Sequence, residues 1–400
     1  MFFEFGLKSS FLLVFFFHGV VFSILLFLKG RQYDDKPGSW LSLFTLLCAL
    51  YIAPFMLGYA GWYSKMPYRE ILFYIPFQQL FLLPPVLYFY CRSLFDRSFV
   101  FTRSDLVHFI PAMLYGVYSL LVFVVDKVFL GDIYFYKDGR DKDFSFWYQL
   151  AGFISLGFYL IKSLRLYTRY KRLVYNTVSF ADSLTFAWAQ RFIIACLFLL
   201  AIRGTFFVLN PEWAQFGRKF WYYLLFSGLF YYISLSGYIN SIRSVTTFDD
   251  SAELPKTSEE ENLLPELTLT EEENQTQPGE KIDIPDLDLW KIKIEQLMLD
   301  DKIYEDPELS IAHLAGQLDT HTKKISQVIN QGFEMNFNDF VNYHRVKAII
   351  KKMDAGEHSI QTLLSLAFEC GFNSKSTFNR AFKRHTSVTP IAYIQKYSNN

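Results

Sequence analysis

The chain has 400 residues, of which 52% are hydrophobic and 19% aromatic, and its 39 basic and 39 acidic residues cancel to a formal net charge of zero. The four cysteines stand far apart and at none of the spacings of metal ligands, which argues against a disulfide framework and against a metal site. Apolar residues concentrate before Ile242 and charges after it. We therefore expect regions of different character rather than one globular domain.

Long apolar stretches dominate the first 244 residues. A helix needs roughly 20 mostly apolar residues to cross a bilayer core of about 30 Å. Seven stretches meet or approach this length: 10–28, 40–59, 71–91, 106–125, 146–164, 184–209 and 220–239. They predict an N-terminal bundle of seven transmembrane helices over residues 1–244.

The orientation of this bundle follows from basic residues in the loops. If the N-terminus lies outside the cell, the cytoplasmic loops contain 12 Lys and Arg residues and the outer loops contain 9. Most of the excess lies in the loop 162–172. Cytoplasmic loops of membrane proteins carry the larger share of Lys and Arg. With seven spans, this orientation predicts a cytoplasmic C-terminal region.

Four polar residues lie within or near the predicted spans: His18, Gln78, His108 and Arg203. Polar and ionisable groups at membrane depth often mark functional sites, so these are candidate signal-sensing residues. The alternative is that each makes a hydrogen bond between helices, or that the arginine extends to the interface. The sequence leaves both interpretations open.

The composition changes abruptly over residues 245–289. From Asp249 to Asp288 there are 14 acidic residues and two lysines, with four prolines and no aromatic residue. Such a segment buries too little apolar surface to offset its ordering entropy, so we predict a disordered acidic linker. A second hypothesis is that its charge competes with DNA phosphates for a basic surface.

Residues 290–400 regain the helical period and contain two similar helix–turn–helix patterns. In the first, Ser310 is suited to cap a helix and the segment 319–321 forms a turn. In the second, Gly371 allows a turn conformation that other residues resist. Helices that pair in this way bury an apolar stripe, which we predict to contain Ile311, Leu314, Ala315, Leu318, Ile325, Val328 and Ile329 in the first unit, and Ile360, Leu363, Leu364, Ala367, Phe368, Phe378 and Phe382 in the second.

A helix rich in apolar residues between Phe337 and Ile350 is predicted to link the two units, and Thr389–Pro390 to start a closing helix. From His321 onward, 11 basic residues face 5 acidic ones, an excess that suits attraction to DNA phosphates. Lys and Arg can donate to guanine, and Asn and Gln can pair with adenine. The predicted DNA-binding residues are His321, Thr322, Lys323, Lys324, Gln327, Asn330, Lys375, Ser376, Asn379, Arg380 and Lys383.

Residues 304–393 resemble the DNA-binding domain of AraC/XylS-type transcription regulators. The resemblance rests on the run from Gly371 to Lys383, on Thr389–Pro390, and on Tyr304, Pro307, Leu309, Leu314, Ala315, Ile325, Ser326, Asn330, Phe337, Asn342, Arg345 and Val346. It implies that two recognition helices, joined by a rigid linking helix, enter successive major-groove segments. By position it implies base reading by Lys323, Gln327, Lys375, Ser376, Asn379 and Arg380.

Two positions depart from the family pattern. His321 stands where a Ser or Thr cap is usual, and Ser387 replaces a frequent Gly. The membrane half also resembles, less specifically, the seven-span sensor region attached to such readers in some bacteria, through residues 83–88 and 108–111. The combination implies a multi-pass protein of the bacterial inner (cytoplasmic) membrane.

We therefore expect a membrane-anchored transcription regulator controlled by a signal at its transmembrane domain. Its expected partners are double-stranded promoter DNA, membrane lipid and an unidentified signal ligand, with a homodimer partner and RNA polymerase as further candidates. The alternative is a seven-helix receptor or transporter with a C-terminal protein-interaction module. Neither a Walker-type phosphate loop, nor HExxH, nor GxSxG occurs, so we expect neither an enzyme nor a cofactor.

Overall fold

The computed structural model describes residues 5–96, 99–209, 219–249 and 286–397, without the side chains of 187, 205–209, 240–249 and 397. These residues form helices and connecting loops and contain no β-strand, only an isolated antiparallel bridge between Val178 and Ser310. The all-α prediction is confirmed for this part of the chain. Most of the predicted acidic linker, residues 250–285, lies outside the described residues.

The chain divides into two compact units. The first comprises residues 1–168 and 186–256, and the second comprises 169–185 and 257–400. The second unit therefore contains a short segment, Arg169–Thr185, from the middle of the predicted membrane region. Sequence patterning does not predict this assignment.

Among the described residues up to 244, nine α-helices begin. They are α1 (Leu7–Gln32), α2 (Lys36–Tyr59), α3 (Tyr68–Tyr74), α4 (Leu83–Phe95), α5 (Ile110–Val124), α6 (Phe146–Thr177), α7 (Ala181–Leu184), α8 (Ala187–Leu209) and α9 (Phe220–Asp249). A 3-10 helix, Arg103–Phe109, leads into α5, and a π-helix, Val125–Leu130, follows it. With them, α5 forms a continuous helical stretch of 28 residues.

Helix α2 is largely buried and packs against α1, α4 and α9. Small residues allow the close approach. A Cβ added at Gly19 of α1 would lie 2.8 Å from the Cβ of Ala49 on α2. Such contacts are typical of helices that associate in lipid, where backbones approach most closely at small residues.

Four helices of the described part are long and apolar enough to cross a membrane: Leu7–Gln32, Lys36–Tyr59, Arg103–Leu130 and Phe146–Thr177. They coincide with the first, second, fourth and fifth predicted spans. The sixth and seventh coincide with α8 and α9, some of whose side chains are not described. The described residues thus contain four candidate spans, and the count of seven is not confirmed.

The third predicted span, 71–91, is not a continuous helix. Helix α3 ends at Tyr74 and α4 begins at Leu83, with Pro76 between them and Pro84 in the first turn of α4. Proline lacks a backbone donor and restricts the residue before it, so the helix breaks. The interruption is supported by neighbours: the Gln78 amide donates to Asp143 Oδ2 at 3.2 Å, and the Leu80 amide donates to the Tyr148 hydroxyl at 3.1 Å.

The C-terminal part of the second unit, which we call the reader, contains seven α-helices between Leu287 and Tyr397. They are α10 (Leu287–Leu299), α11 (Ile311–Gln317), α12 (Thr322–Gly332), α13 (Phe337–Asp354), α14 (Leu363–Glu369), α15 (Lys375–Thr386) and α16 (Pro390–Tyr397). One core joins α10, α11, α12 and the start of α13, and a second joins the rest of α13 to α14, α15 and α16. Helix α13 contributes to both cores and so links the two predicted helix–turn–helix units.

Most of the predicted apolar stripe is buried. Ile325, Val328 and Ile329 are fully buried on α12, as are Phe378 and Phe382 on α15. The stripe predicted for α14 is partly wrong. Ile360 precedes the helix and is 87% exposed, Phe368 is half exposed, and Leu366 fills the core position beside Ala367. The error arises because packing against α13 and α15 turns the face with Leu366, Ala367 and Cys370 inward, which leaves Phe368 outside.

Candidate DNA-binding surface

The first candidate recognition helix is α12. Its inner face packs into the core, while His321, Thr322, Lys323 and Asn330 are exposed and Gln327 is half buried. His321 is the N-cap residue and makes no side-chain capping bond, as expected from its departure from Ser or Thr. By contrast, Ser310 caps α11, with its Oγ 3.3 Å from the His313 amide.

One predicted DNA-binding residue of α12 has another partner. The Lys324 ammonium lies 4.0 Å from the centre of the Trp290 ring, on α10. A cation over an aromatic face is stabilised by the ring quadrupole. Lys324 is half buried there, so its role in this structure is to pack α12 against α10, and its assignment to DNA contact stays a prediction.

The second candidate recognition helix is α15. Lys375, Ser376, Asn379, Arg380 and Lys383 are all exposed. Ser374 caps the helix, with its Oγ 3.2 Å from the Thr377 amide. Gly371, at φ +87°, forms the preceding turn as expected, and a Cβ there would lie 2.3 Å from the carbonyl oxygen of Tyr304. Arg384 pairs with Asp339 of α13, which ties α15 to the linking helix.

The linking helix α13 carries a buried arginine at the junction of the two cores. Arg345 is 1% exposed. Its Nε donates to the carbonyl oxygen of Tyr304 at 2.8 Å, and its Nη2 donates to that of Asp306 at 2.6 Å. Burial lowers the pKa of Arg345 to about 10, so the guanidinium keeps its charge at neutral pH. These bonds fix the segment between α10 and α11 against α13.

The segment Arg169–Thr185, which we call the docking segment, packs on the reader within the second unit. The Ser179 amide donates to the carbonyl oxygen of Leu309 at 3.0 Å, and Asn338 Nδ2 donates to the carbonyl oxygen of Ser179 at 2.6 Å. Arg345 Nη2 also donates to Ser179 Oγ at 3.1 Å. Val178, Ser179 and Ala181 are buried. The docking segment is thus part of the packed structure of the reader.

A direct ion pair connects the docking segment to the second recognition helix. The guanidinium of Arg380 pairs with the carboxylate of Asp182. The Tyr175 hydroxyl, which also belongs to the docking segment, donates to Asp182 Oδ1 at 2.7 Å and holds the carboxylate in place. Arg380, which the family resemblance implies to contact bases, therefore forms an ion pair with Asp182 of the same chain. Sequence patterning identifies Arg380 but misses Asp182, because nothing local marks Asp182 as a partner for a residue 198 positions later.

Two of the four predicted signal-sensing residues belong to one polar cluster of the first unit. Gln149 Nε2 donates to Gln78 Oε1 at 2.8 Å, and Gln149 Oε1 accepts from the Arg203 guanidinium. Arg203 Nη1 also donates to the Tyr51 hydroxyl at 3.0 Å. Gln78 is fully buried in the interruption between α3 and α4. The structure therefore brings Gln78 and Arg203 together through one glutamine.

The other two residues make separate contacts. His18 Nε2 lies 2.7 Å from Ser234 Oγ of α9, and His108 Nδ1 lies 2.7 Å from the Tyr159 hydroxyl of α6. Each of the four side chains thus makes a hydrogen bond to a neighbouring helix, which agrees with the alternative that the sequence leaves open. A role in sensing stays a prediction for each of them.

The comparisons with known proteins agree with the geometry of the reader. Residues 314–396 match a family model described as a helix-turn-helix domain, a stretch that contains most of α11 and all of α12 to α15. No curated protein and no solved structure matches the chain. The match supports a DNA-binding transcription regulator.

Proposed function

We propose that this chain is a membrane-anchored transcription regulator that reads promoter DNA with the exposed faces of α12 and α15 and responds to a signal at its first unit. The observation that carries the proposal is the pair of helix–turn–helix units whose exposed polar side chains lie on helices joined by α13. Lys323 on α12 and Arg380 on α15 represent the two faces. Phosphate contacts supply affinity and base-edge contacts supply specificity.

The membrane anchor is supported by exposed apolar surface on the four helices long enough to span. Val14, Phe17 and Leu28 on α1, and Leu114 and Leu120 on α5, are each more than half exposed. Contiguous apolar faces of this extent suit contact with lipid rather than water. The regulator would lie in the bacterial inner membrane with the reader in the cytoplasm, where DNA is available.

The competing function is a receptor or transporter whose C-terminal domain binds protein. Both functions use exposed helices, but they differ in what the exposed side chains recognise. A DNA reader loses sequence preference when base-reading side chains are truncated, because each good bidentate pair discriminates by about 1–3 kcal/mol. A protein-interaction module has no such preference to lose.

The test is genome-wide footprinting of the full chain in its membrane, comparing the wild type with the Lys323→Ala, Arg380→Ala double variant. A matched control is Lys293→Ala, Lys351→Ala, which removes the same two positive charges from exposed positions outside α12 and α15. We expect discrete occupied promoters in the wild type and the control, and loss of those sites in the double variant.

Two outcomes would contradict the proposal. Occupancy that shows no sequence preference in the wild type would point to general attraction to DNA. Coinciding maps for the wild type and the double variant would show that neither helix face reads bases.

A further inference from the structure

The first unit contains a large cavity that none of the four candidate sensing residues lines. It has a volume of about 970 Å³ and lies between the end of α2, helix α3, helix α5 and the segment 135–146 that leads into α6. Sites for small organic molecules typically have volumes of about 300–1,000 Å³. The cavity is therefore large enough for such a molecule.

Two groups of the cavity wall lack the partners that their chemistry calls for. Tyr136 is 3% exposed, and its hydroxyl has no hydrogen-bond partner in the described structure. Arg69 lies 5.1 Å over the Phe73 ring, and no carboxylate among the described residues pairs with it. Buried polar groups are normally hydrogen-bonded, so the unpartnered Tyr136 hydroxyl and the Arg69 guanidinium, whose residues both contact the Phe73 ring, indicate a wall with donors for an acceptor.

The acidic groups of the same wall are already engaged. Asp138 Oδ2 lies 3.7 Å from Arg140 Nε, and Asp141 Oδ2 accepts from the Tyr63 hydroxyl at 3.3 Å. Behind the wall, Asp143 accepts from Tyr115 and lies 3.5 Å from the Lys142 ammonium. Burial raises the pKa of the Asp141 and Asp143 carboxyls, and the charge of Asp143 raises that of Asp141 further. They therefore present little free negative charge to a ligand.

Aromatic rings form much of the remaining wall. Phe73 stacks on Tyr136 with ring centres 4.8 Å apart, and Tyr118, Phe135 and Phe146 also line the cavity. Rings of this kind bury flat apolar groups, while a guanidinium donates two parallel hydrogen bonds to a carboxylate. We propose that the cavity binds a small aromatic carboxylate, with Arg69 and Tyr136 donating to its carboxylate and the rings enclosing its apolar part.

This inference depends on the proposed function only in treating the ligand as the signal. The binding itself can be measured without DNA. The test is isothermal titration calorimetry on the full chain in lipid nanodiscs, with phenylacetate and 3-phenylpropionate as probes and uncharged phenylacetamide for comparison. We expect saturable binding of at least one carboxylate and binding of the amide that is weaker by about tenfold or more.

Two variants assign the donors. Arg69→Gln should weaken carboxylate binding by about tenfold or more, whereas Arg31→Gln, at an exposed position on α1, should not. Tyr136→Phe should also weaken binding, yet leave the melting temperature of the unliganded protein unchanged or higher, because it removes a hydroxyl that has no partner. If Tyr136 had only a structural role, Tyr136→Phe would lower the melting temperature and leave carboxylate binding unchanged.

The cavity proposal is wrong if neither carboxylate binds at millimolar concentration. It is also wrong if Arg69→Gln binds as tightly as the wild type. If Arg69→Gln does not fold, Arg69→Lys and Tyr136→Phe still decide the matter, since lysine keeps the charge but loses the two-pronged geometry. Undiminished binding in both of these variants would overturn the assignment.

A second inference comes from the docking segment and is independent of the cavity. While Arg380 Nη2 pairs with Asp182, the guanidinium cannot present both of its terminal nitrogens to a base edge. The pair is supported on the side of the acid by Tyr175, and the docking segment is anchored by Ser179 through its bonds to Leu309, Asn338 and Arg345. We infer that docking keeps the reader in a state in which α15 is not free to read DNA.

This inference rests on the proposed function, because it assigns a regulation to the DNA-binding surface. The first nine residues of the docking segment are the end of α6, whose first residue, Phe146, lines the cavity. A change at the start of α6 therefore has a continuous helical route to the docking segment. Release of Asp182 from Arg380 would then raise the affinity of the reader for DNA.

The test measures binding of the full chain in nanodiscs to a DNA duplex selected by the wild type from a random pool. Asp182→Asn should bind at least about fivefold more tightly than the wild type, since charged hydrogen bonds contribute more than neutral ones. Asp301→Asn, at an exposed position of the second unit, removes the same charge away from Arg380 and should change affinity little.

The Arg380→Ala variant distinguishes DNA reading by α15 from masking of Arg380 by Asp182. If Arg380→Ala binds DNA as the wild type does, the proposed reading by α15 is wrong. If Arg380→Ala weakens binding but Asp182→Asn changes it no more than Asp301→Asn does, the reading is correct and the masking is wrong. If both single changes act as expected, the double variant Asp182→Asn, Arg380→Ala should bind as weakly as Arg380→Ala alone.

Discussion

Arg345 Nε donates to the carbonyl oxygen of Tyr304 at 2.8 Å, and the same oxygen lies only 2.3 Å from the position that a Cβ of residue 371 would take. One carbonyl thus connects the linking helix with the turn that precedes the second recognition helix. The relative placement of α12 and α15 depends on this junction, because α13 contributes to both cores.

We expect Arg345→Met to destabilise the reader by about 3 kcal/mol or more, because two buried carbonyl oxygens lose a charged donor. Arg345→Lys should lie between the wild type and Arg345→Met, since a lysine cannot reach both carbonyls with the same planar geometry. The measurement is hydrogen exchange of the α13 amides in the full chain. Ser179→Ala, which removes only one branch of the network, should cost about 1 kcal/mol. Equal effects of Ser179→Ala and Arg345→Met would contradict the importance of the junction.

Two glycines with similar backbone conformations provide a matched pair. Gly371 has φ +87° and Gly356 has φ +81°, but only Gly371 is close to other atoms at its Cβ position. We expect Gly356→Ala to cost about 1–2 kcal/mol from conformation alone. Gly371→Ala should cost clearly more, because the methyl group would collide with the backbone of Tyr304 and Glu305. Thermal unfolding of the two variants decides the matter, and similar losses would show that contact at Tyr304 is unimportant.

The N-cap of α12 offers a stabilising change. His321 has an extended backbone suited to a cap but makes no side-chain capping bond. His321→Ser should raise the stability of the reader by about 1 kcal/mol, and Ser374→Ala should lower it by a similar amount at the cap of α15. Both effects can be measured by thermal unfolding without DNA. A destabilising His321→Ser would indicate that the histidine has a packing role.

The sequence predicts those parts of the fold that depend on local pattern. Ser310 as a cap, Gly371 in a turn and Pro390 at the start of α16 are confirmed, because each follows from the backbone preference of one residue type. The break between α3 and α4 is missed, since hydropathy counts apolar residues without regard to whether Pro76 permits a helix.

Contacts between distant residues are not predictable in this way. The pair Asp182–Arg380 and the cavity groups Arg69 and Tyr136 depend on tertiary placement. Their residue types are common at surfaces, so the pattern around each of them is ordinary. The candidate DNA-binding surface is therefore largely predicted, whereas its internal partner and the cavity are found only in the structure.

His344 makes the stability of the reader dependent on pH. Burial, with a smaller effect of the nearby Lys347 charge, lowers the pKa of His344 to about 4. Its ring packs against Phe340 with centres 4.8 Å apart, close to Tyr304 and Tyr343. In the unfolded chain the pKa is near 6.5. Above that pH His344 is neutral in both the folded and the unfolded chain, so its ionisation has no effect on stability.

As the pH falls from about 6.5 to about 4, His344 binds a proton in the unfolded chain but not in the folded reader, so the free energy of unfolding decreases. The decrease contributed by this residue should approach about 3 kcal/mol at its limit. His344→Phe keeps an aromatic ring and should remove that part of the pH dependence, while His321→Phe, at an exposed histidine, should leave it in place. The measurement is protection of the α13 amides at pH 7.5 and pH 5, corrected for intrinsic exchange rates. Equal acid sensitivity in His344→Phe and the wild type would show that His344 is protonated while the reader is folded.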